Sequence, residues 1–136
     1  MFLERLMDLS NYTALVVDDF STMRRIVINL LREAGFGHVS EAEDGTEALR
    51  KLEHESIHFI VSDWNMPRMT GIELLKAVRH SAKLKDLPFL LITAESHKEN
   101  IIEAAQAGAD GYILKPFTAA MLTQKIEAIL KRKGLS

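Results

Sequence analysis

Carboxylates, a hydroxyl and an ammonium group each stand at the point where a short apolar run of the sequence ends. Of five such runs, Asp18 and Asp19 end the first and Asp63 ends the third. Thr93 ends the fourth run, and Lys115 ends the fifth. If the runs are parallel strands, their carboxyl ends meet at one edge of a sheet, where open α/β sheets bind their ligands. The spacing therefore predicts one polar site built from these five side chains.

Such a site favours phosphoryl chemistry on a magnesium ion. Two carboxylates at about 5 Å repel by about 3 kcal/mol at an effective dielectric constant near 20, so three of them need a cation. A small set of hard oxygen ligands suits Mg²⁺, which keeps several waters and commonly pairs with a phosphate. Lysine adds a point charge for phosphate oxygens. A carboxylate can itself accept the phosphoryl group, with positioning and charge neutralisation as the means of catalysis.

The elements that must position these residues alternate between two kinds of pattern. Apolar runs typical of strands buried in a parallel sheet cover residues 15–17, 39–42, 59–61, 89–92 and 112–114. Amphipathic patterns typical of helices cover residues 23–34, 44–54, 70–78, 100–107 and 118–131. Asp44 opens the second helix, and Thr70 with Glu73 predicts a capping box at the start of the third.

Five strand–helix units joined by short loops predict an α/β protein, with helices on both faces of a doubly wound, five-stranded parallel sheet. The length of 136 residues fits a single domain. We expect residues 1–12 to form a short N-terminal extension packed on the surface of that domain.

Composition excludes several classes of protein. The chain has 17 Lys and Arg residues and 19 Asp and Glu residues, a formal net charge of -2. It therefore lacks the excess of positive charge that is typical of proteins that bind nucleic acid or an anionic membrane surface. The absence of cysteine excludes a disulfide framework, a thiolate nucleophile and a cysteine zinc site. No apolar run approaches the roughly 20 residues of a membrane span, and the N-terminus lacks the apolar stretch of a secretory signal. These features predict a cytoplasmic protein.

Four segments resemble the receiver domain of two-component response regulators: residues 16–21, 62–67, 93–95 and 115–117. From residue 13 onward the chain is most similar to the CheY family of single-domain chemotaxis regulators, through the stretches DDFSTMRRIV, SDWNMP, KENIIEAAQAGA and KPFTAA. The resemblance implies a flavodoxin-like (βα)5 fold with strand order 2-1-3-4-5, and one receiver domain over residues 1–136.

The resemblance also implies a role for each acidic residue of the site. Asp63 would accept the phosphoryl group. Asp19, Asp63 and the backbone carbonyl of Asn65 would hold Mg²⁺, and Asp18 would orient the ion through water. Asn65 and Glu95 occupy positions that tune autodephosphorylation in the family.

The remaining site residues would detect the phosphoryl group. Lys115 would contact its oxygens, across a Lys115–Pro116 bond that is cis in the family, and Thr93 would donate a hydrogen bond to it. Tyr112 would then turn into the space that Thr93 leaves. These roles make the protein a signalling switch whose only catalysis is its own phosphorylation and hydrolysis.

An output surface is implied on the fourth helix, the fifth strand and the fifth helix. It would contain Lys98, Ile101, Ala105, Tyr112, Leu114 and Lys125. Ile101 and Ala105 lie one helical turn apart and can face one partner helix, whereas Ile102 is the better candidate for the core.

The partners follow from the resemblance as well. A histidine kinase, CheA, would donate the phosphoryl group, and the phosphorylated monomer would bind the flagellar switch protein FliM and change flagellar rotation. A phosphatase is a further expected partner, whereas nucleic acid and membranes are not.

Two alternatives remain open at this point. Ser96 and His97 stand where the family usually has Ala and Lys. The main alternative to the motor regulator is therefore a paralogue that acts as a phosphate sink or regulates a non-flagellar partner. A Mg²⁺-dependent phosphohydrolase with an aspartyl-phosphate intermediate also starts from an aspartate after a first strand, although such enzymes carry a cap insertion for which this chain has no room.

Overall fold

The computed structural model describes residues 8–94 and 96–134, and within them strands and helices alternate from one end to the other. The strands are β1 (Thr13–Val17), β2 (His38–Ala42), β3 (Phe59–Asp63), β4 (Phe89–Thr93) and β5 (Gly111–Leu114). The helices are α1 (Ser21–Glu33), α2 (Gly45–His54), α3 (Gly71–His80), α4 (Lys98–Ala107) and α5 (Ala119–Arg132).

The five strands form one parallel sheet in the order β2-β1-β3-β4-β5. This confirms the predicted fold class and strand order. The order reverses between β1 and β3, because β1 pairs with β2 on one side and with β3 on the other. That reversal creates a crevice at the carboxyl ends of β1 and β3, where doubly wound sheets bind ligands.

The sheet separates two buried apolar clusters. Successive residues of a strand point to opposite faces, so Leu15 and Val16 of β1 belong to different clusters. One cluster packs under α1 and α5, through residues such as Val27 and Ile126. The other packs under α2, α3 and α4, and it includes Leu75. Strands β3 and β4 are buried along their whole length, as their apolar runs predict.

Side-chain caps begin the helices that flank the site. The carboxylate of Asp44 accepts a hydrogen bond from the backbone N–H of Glu47 at the start of α2. Thr70 and Glu73 form the predicted capping box at the start of α3. Such caps satisfy donors that the first helical turn leaves without partners.

Arg79 links several elements by hydrogen bonds at the edge of the sheet where the strands begin. Its guanidinium donates to the carbonyls of Leu87 at 2.8 Å and Gly108 at 3.0 Å, and to the carboxylate of Asp110 at 2.9 Å. Asp110 also accepts the N–H of Phe89 at 2.9 Å and pairs with Lys133 at 3.3 Å. We call these five residues and Arg79 the basal cluster, and it joins the ends of α3, α4 and α5 to the starts of β4 and β5.

One expectation about burial was wrong. Ile102 is 44% exposed, whereas Ala104 is the residue of α4 that lies in the core. In the described part of the predicted extension, Leu9 is 3% exposed and belongs to the cluster under α1 and α5. Its carbonyl accepts the N–H groups of Tyr12 and Gly37, which fixes the chain against the loop before β2. Residues 1–7 of the predicted extension lie outside the described residues.

Candidate functional site

Two residues that directly follow strands continue the hydrogen bonding of the sheet, and this positions them in the site. The N–H of Asp18 donates to the carbonyl of Ala42 at 3.1 Å, and the N–H of Lys115 donates to the carbonyl of Thr93 at 2.8 Å. The first residue after β1 and the first after β5 are therefore held at the carboxyl edge of the sheet.

Three carboxylates meet in the crevice between β1 and β3. An oxygen of each of Asp18, Asp19 and Asp63 lies within 4.8 Å of the others. Asp18 and Asp63 are buried, whereas Asp19 is exposed. Hard oxygen donors at this spacing, one of them open to solvent, fit a hydrated Mg²⁺ ion. The residues present therefore fit the predicted metal.

Lys115 reaches the same crevice from the far side. Its Nζ lies 2.9 Å from Oδ1 of Asp63, and the ammonium group is partly buried. The peptide bond between Lys115 and Pro116 is cis. The structure thus brings together Asp18, Asp19, Asp63 and Lys115 from the ends of three strands, as the sequence predicts.

Burial of the carboxylates shifts their protonation. Burial raises the pKa of Asp18 to about 6, although the N–H of Phe20 donates to its carboxylate at 2.9 Å and opposes the shift. The negative charge of Asp63 adds to the rise. Burial also raises the pKa of Asp63, against the opposing hydrogen bond and charge of Lys115. Without a metal ion, the ionised forms of these two carboxylates are therefore less stable than they are in water.

Thr93 and Tyr112 lie on neighbouring strands at the side of the site. Thr93 ends β4 and is fully buried. Tyr112 is half-buried on β5, and its ring lies edge-on to Trp64 with ring centroids 6.0 Å apart. Trp64 directly follows Asp63, so one aromatic pair joins the crevice to β5.

The loop between β3 and α3 contains a feature that the sequence reasoning did not single out. Asn65 lies exposed in this loop, and Arg68 adopts a left-handed backbone conformation with φ 66°. The guanidinium of Arg68 pairs with the carboxylate of Asp44 at the start of α2. Hydrophobic periodicity carries no signal for a contact between a loop and a helix start. Glu95 lies outside the described residues.

The proposed output residues lie on the edge strand β5 and on α4 and α5, which both contact it. Exposed side chains among them are Lys98, Ile101, Ala105, Leu114 and Lys125. Ile101 is 42% exposed, which leaves an apolar side chain open on α4. None of the described helices combines the length and the apolar character needed to cross a membrane.

Comparison with protein families matches residues 14–127 to the response regulator receiver domain. The matched range contains every residue of the acidic crevice, together with Thr93 and Lys115.

Curated relatives extend the match over most of the chain. A chemotaxis protein CheY of Pseudomonas aeruginosa is 59% identical over 118 residues, which cover 87% of this chain and 95% of the relative. Chemotaxis protein CheY-3 of Vibrio cholerae is 58% identical over 122 residues, covering 90% of this chain and 94% of the relative.

Solved structures agree in fold. Chemotaxis protein CheY4 of Vibrio cholerae superposes with a TM-score of 0.82 at 39% identity, covering 88% of this chain and 98% of that one. A response regulator receiver domain protein of Clostridium thermocellum gives a TM-score of 0.80 at 31% identity, covering 91% and 98%. The chain therefore belongs to the response regulator receiver family and is a chemotaxis response regulator of the CheY type.

Proposed function

We propose that this signalling protein accepts a phosphoryl group on Asp63 from a histidine kinase and then binds the flagellar motor switch. The observation that carries the proposal is the pairing of the buried Asp63 carboxylate with Lys115 at 2.9 Å, within a cluster of three carboxylates. A nucleophile, a cation for phosphoryl oxygens and a set of metal ligands then share one crevice.

The residues divide the chemistry among them. An oxygen of Asp63 attacks the phosphorus of a phosphohistidine, the P–O bond forms as the P–N bond breaks, and the departing imidazole nitrogen takes up a proton. Asp19, Asp63 and the carbonyl of Asn65 would hold Mg²⁺, with Asp18 orienting it through water. When bound, Mg²⁺ supplies positive charge that offsets the charge of the phosphoryl oxygens. Lys115 then pairs with an oxygen of the transferred group, as it pairs with Asp63 now.

The switch rests on the buried position of Thr93 and the half-buried position of Tyr112. A phosphoryl group adds negative charge and three acceptor oxygens, so the hydroxyl of Thr93 is drawn toward Asp63. Tyr112 turns into the space behind Thr93 and changes its contact with Trp64. The phosphoryl group shifts this equilibrium only by its differential affinity for the two states, and a shift from 1:99 to 99:1 needs about 5.5 kcal/mol.

Partners are proposed from the exposed face of α4, β5 and α5. Exposed Ile101 lies one turn from exposed Lys98 on α4, and exposed Lys125 lies on α5. An apolar side chain with basic residues on the same elements suits an amphipathic peptide with acidic residues. We assign FliM as the partner that binds this face and CheA as the phosphoryl donor. A phosphatase would remove the phosphoryl group from Asp63. In the same scheme residues 1–136 act as one monomeric, cytoplasmic receiver, and Asn65 and Glu95 set the rate of dephosphorylation.

Titration of a labelled N-terminal FliM peptide tests the proposal. Wild-type protein with Mg²⁺ and beryllofluoride should bind the peptide at least tenfold more tightly than the untreated protein, and Asp63→Asn should show no such gain. Ile101→Asp should abolish binding while Trp64 fluorescence still reports activation. Ile102→Asp is the matched control, since Ile102 is equally exposed but lies about 100° farther around α4.

A phosphate sink is the second candidate, favoured by the start of α4. His97 is the residue before α4 and makes no side-chain capping bond, and both Ser96 and His97 are exposed. Their change from the residues usual in the family alters the output face and leaves the acidic crevice intact. Activation by beryllofluoride without any peptide binding would refute the motor assignment and leave a phosphate sink or a regulator of a non-flagellar partner.

A further inference from the structure

Arg68 occupies a backbone conformation that its side chain does not favour. Its φ of 66° lies in the left-handed region, which glycine enters freely and asparagine tolerates, but which is costly for a long side chain. Among the described residues other than glycine, Arg68 is the one with a positive φ. Some interaction must hold it there, since strain of this kind persists only where the surroundings impose it.

The surroundings of Arg68 supply that interaction. Its guanidinium donates to Oδ2 of Asp44 through two nitrogens, one of them Nε at 3.0 Å. Oδ1 of the same carboxylate accepts the N–H of Glu47 at 2.9 Å, so Asp44 is fixed as the cap of α2. The hydrogen bonds from Glu47 and Arg68 lower the pKa of Asp44. The carboxylate is buried although most of the Arg68 side chain is exposed.

A second contact joins the same loop to the same helix. Met69 packs against Gly45, the first residue of α2, so closely that a Cβ on Gly45 would lie 2.7 Å from the sulfur of Met69. Two consecutive loop residues thus hold two consecutive residues at the start of α2. We call the Arg68–Asp44 pair and the Met69–Gly45 contact the loop latch.

The latched loop leads directly from the acidic crevice. The N–H of Gly71, where α3 begins, donates to the carbonyl of Trp64 at 2.8 Å and closes the loop over residues 64–71. Asn65 follows Trp64 inside this closed loop. Its conformation, and the direction of the Asn65 carbonyl, therefore depend on what holds the far side of the loop.

We infer that Arg68 is a positioning residue, which through its ion pair with Asp44 holds the loop in the conformation that presents the Asn65 carbonyl to the metal. The inference deepens the proposed function and rests on it, since it assumes that Asn65 is a ligand of Mg²⁺. Without the pair, a long side chain at position 68 relaxes out of the left-handed region, and metal binding must restore the strained conformation.

Three substitutions at one position separate conformation from charge. Arg68→Ala, Arg68→Gly and Arg68→Asn all remove the same positive charge, but alanine keeps the cost of the left-handed region, whereas glycine and asparagine do not. Arg50→Ala is the matched control: Arg50 is comparably exposed, lies on α2 and pairs within that helix with Glu47 at 3.6 Å. Asp44→Asn retains a helix cap and loses the ion pair.

Two measurements read the result on intact protein. The first is hydrogen exchange of the Gly71 amide without metal, and the second is the dissociation constant for Mg²⁺ from Trp64 fluorescence. We expect Arg68→Ala and Asp44→Asn to speed exchange and to weaken Mg²⁺ binding by about fivefold to tenfold. Arg68→Asn should restore both values to within about twofold of wild type, and Arg50→Ala should change neither.

The outcomes are distinguishable. Equal weakening by alanine and asparagine would mean that charge alone matters, and unchanged exchange in Arg68→Ala would mean that the pair does not hold the loop. Either result overturns the inference. A wild-type protein whose Trp64 signal ignores Mg²⁺ would instead overturn the proposed function, while the exchange comparison still decides whether Arg68 holds the loop.

Discussion

The ammonium group of Lys115 lies 2.9 Å from a carboxylate oxygen of Asp63. Lysine favours the ionised carboxylate that a nucleophile requires, against the burial that raises the pKa of Asp63. The same ammonium group is placed to meet the oxygens of an incoming phosphoryl group. In the proposed reaction, one side chain would therefore prepare the nucleophile and stabilise the negative charge of the incoming phosphoryl group.

Lys115→Met should slow phosphorylation of Asp63 by acetyl phosphate about 100-fold or more, since removal of one preorganised charge partner costs about that much in other active sites. The pKa of Asp63 should rise further in this variant, because its largest opposing interaction is lost. Stopped-flow Trp64 fluorescence measures the rate. Lys125→Met on α5 removes an equal charge outside the crevice, and an equal loss of rate there would refute the assignment.

The pKa of Asp18 is about 6, above the ordinary 3.8. We therefore expect the affinity for Mg²⁺ to fall as the pH drops through 6. The ion needs the carboxylate, so the affinity should be constant above pH 7. Below pH 6 the affinity should fall, with a slope that approaches tenfold per pH unit because one proton competes with the metal. The raised pKa of Asp63 adds to the slope. Trp64 fluorescence titrations at pH 5.0, 6.0 and 7.5 measure it, and a flat profile would contradict the shift.

The placement of the crevice residues was largely predictable because parallel strands bring their carboxyl ends together. Asp18, Asp63 and Lys115 could be assigned to one crevice from their places after apolar runs. The pairing of Arg68 with Asp44 could not, since it joins a loop to a helix start that lies 24 residues earlier. Its traces in the sequence are an arginine in a turn and an aspartate before glycine, which occur in many unrelated proteins.

At the scale of elements, the start of α3 is as constrained as the site itself. A Cβ on Gly71 would lie 2.3 Å from the carbonyl oxygen of Asp63 and 3.0 Å from Cα of Trp64. Both neighbours are backbone, so they cannot move without shifting the end of β3. Gly45 holds the equivalent position in α2, but there the neighbour is the flexible side chain of Met69.

Gly71→Ala should therefore lower the free energy of unfolding by about 1–3 kcal/mol, the usual cost of overpacking, and should also slow phosphorylation, because β3 carries Asp63. Gly45→Ala should cost less, since Met69 can change rotamer. Urea denaturation followed by circular dichroism measures both variants. A larger loss for Gly45→Ala than for Gly71→Ala would contradict this account.

Helix α4 shows where periodicity fails as a guide to burial. The pattern suggested that Ile102 faces the core, yet Ala104 does so and both Ile101 and Ile102 are exposed. Helix α4 packs on the core through the small side chain of Ala104, and its large apolar residues lie on either side of that contact, exposed to solvent. The other helices carry larger apolar residues on their buried faces. Their existence and order were predictable, as were the caps of α2 and α3.

For the molecule as a whole, the acidic crevice is a cost to stability. A carboxyl whose pKa is raised in the folded state contributes most to stability below its ordinary pKa, and that contribution is lost as pH rises from about 4 to about 6. At neutral pH the metal-free protein therefore carries the full burden of the buried Asp18 charge. Function is the reason to keep such a group.

Asp18→Asn should raise the free energy of unfolding at pH 7.5 without Mg²⁺ by about 1–3 kcal/mol. The gain should shrink at pH 4.5, where wild-type Asp18 is protonated, and also when Mg²⁺ stabilises the wild type. Urea denaturation at both pH values measures it. Asp19→Asn should gain less because Asp19 is exposed; a larger gain there than for Asp18→Asn would contradict the prediction.

The basal cluster anchors the end of the molecule at which β4 and β5 begin. Arg79 and Asp110 bind the starts of β4 and β5 to the end of α3, and Asp110 pairs with Lys133 just beyond α5. In the proposed switch, the contacts of Arg79 and Asp110 hold one end of α4 and of β5 in place. Movement that accompanies phosphorylation should then be smallest near Asp110 and largest at the ends of α4 and β5 nearest the acidic crevice.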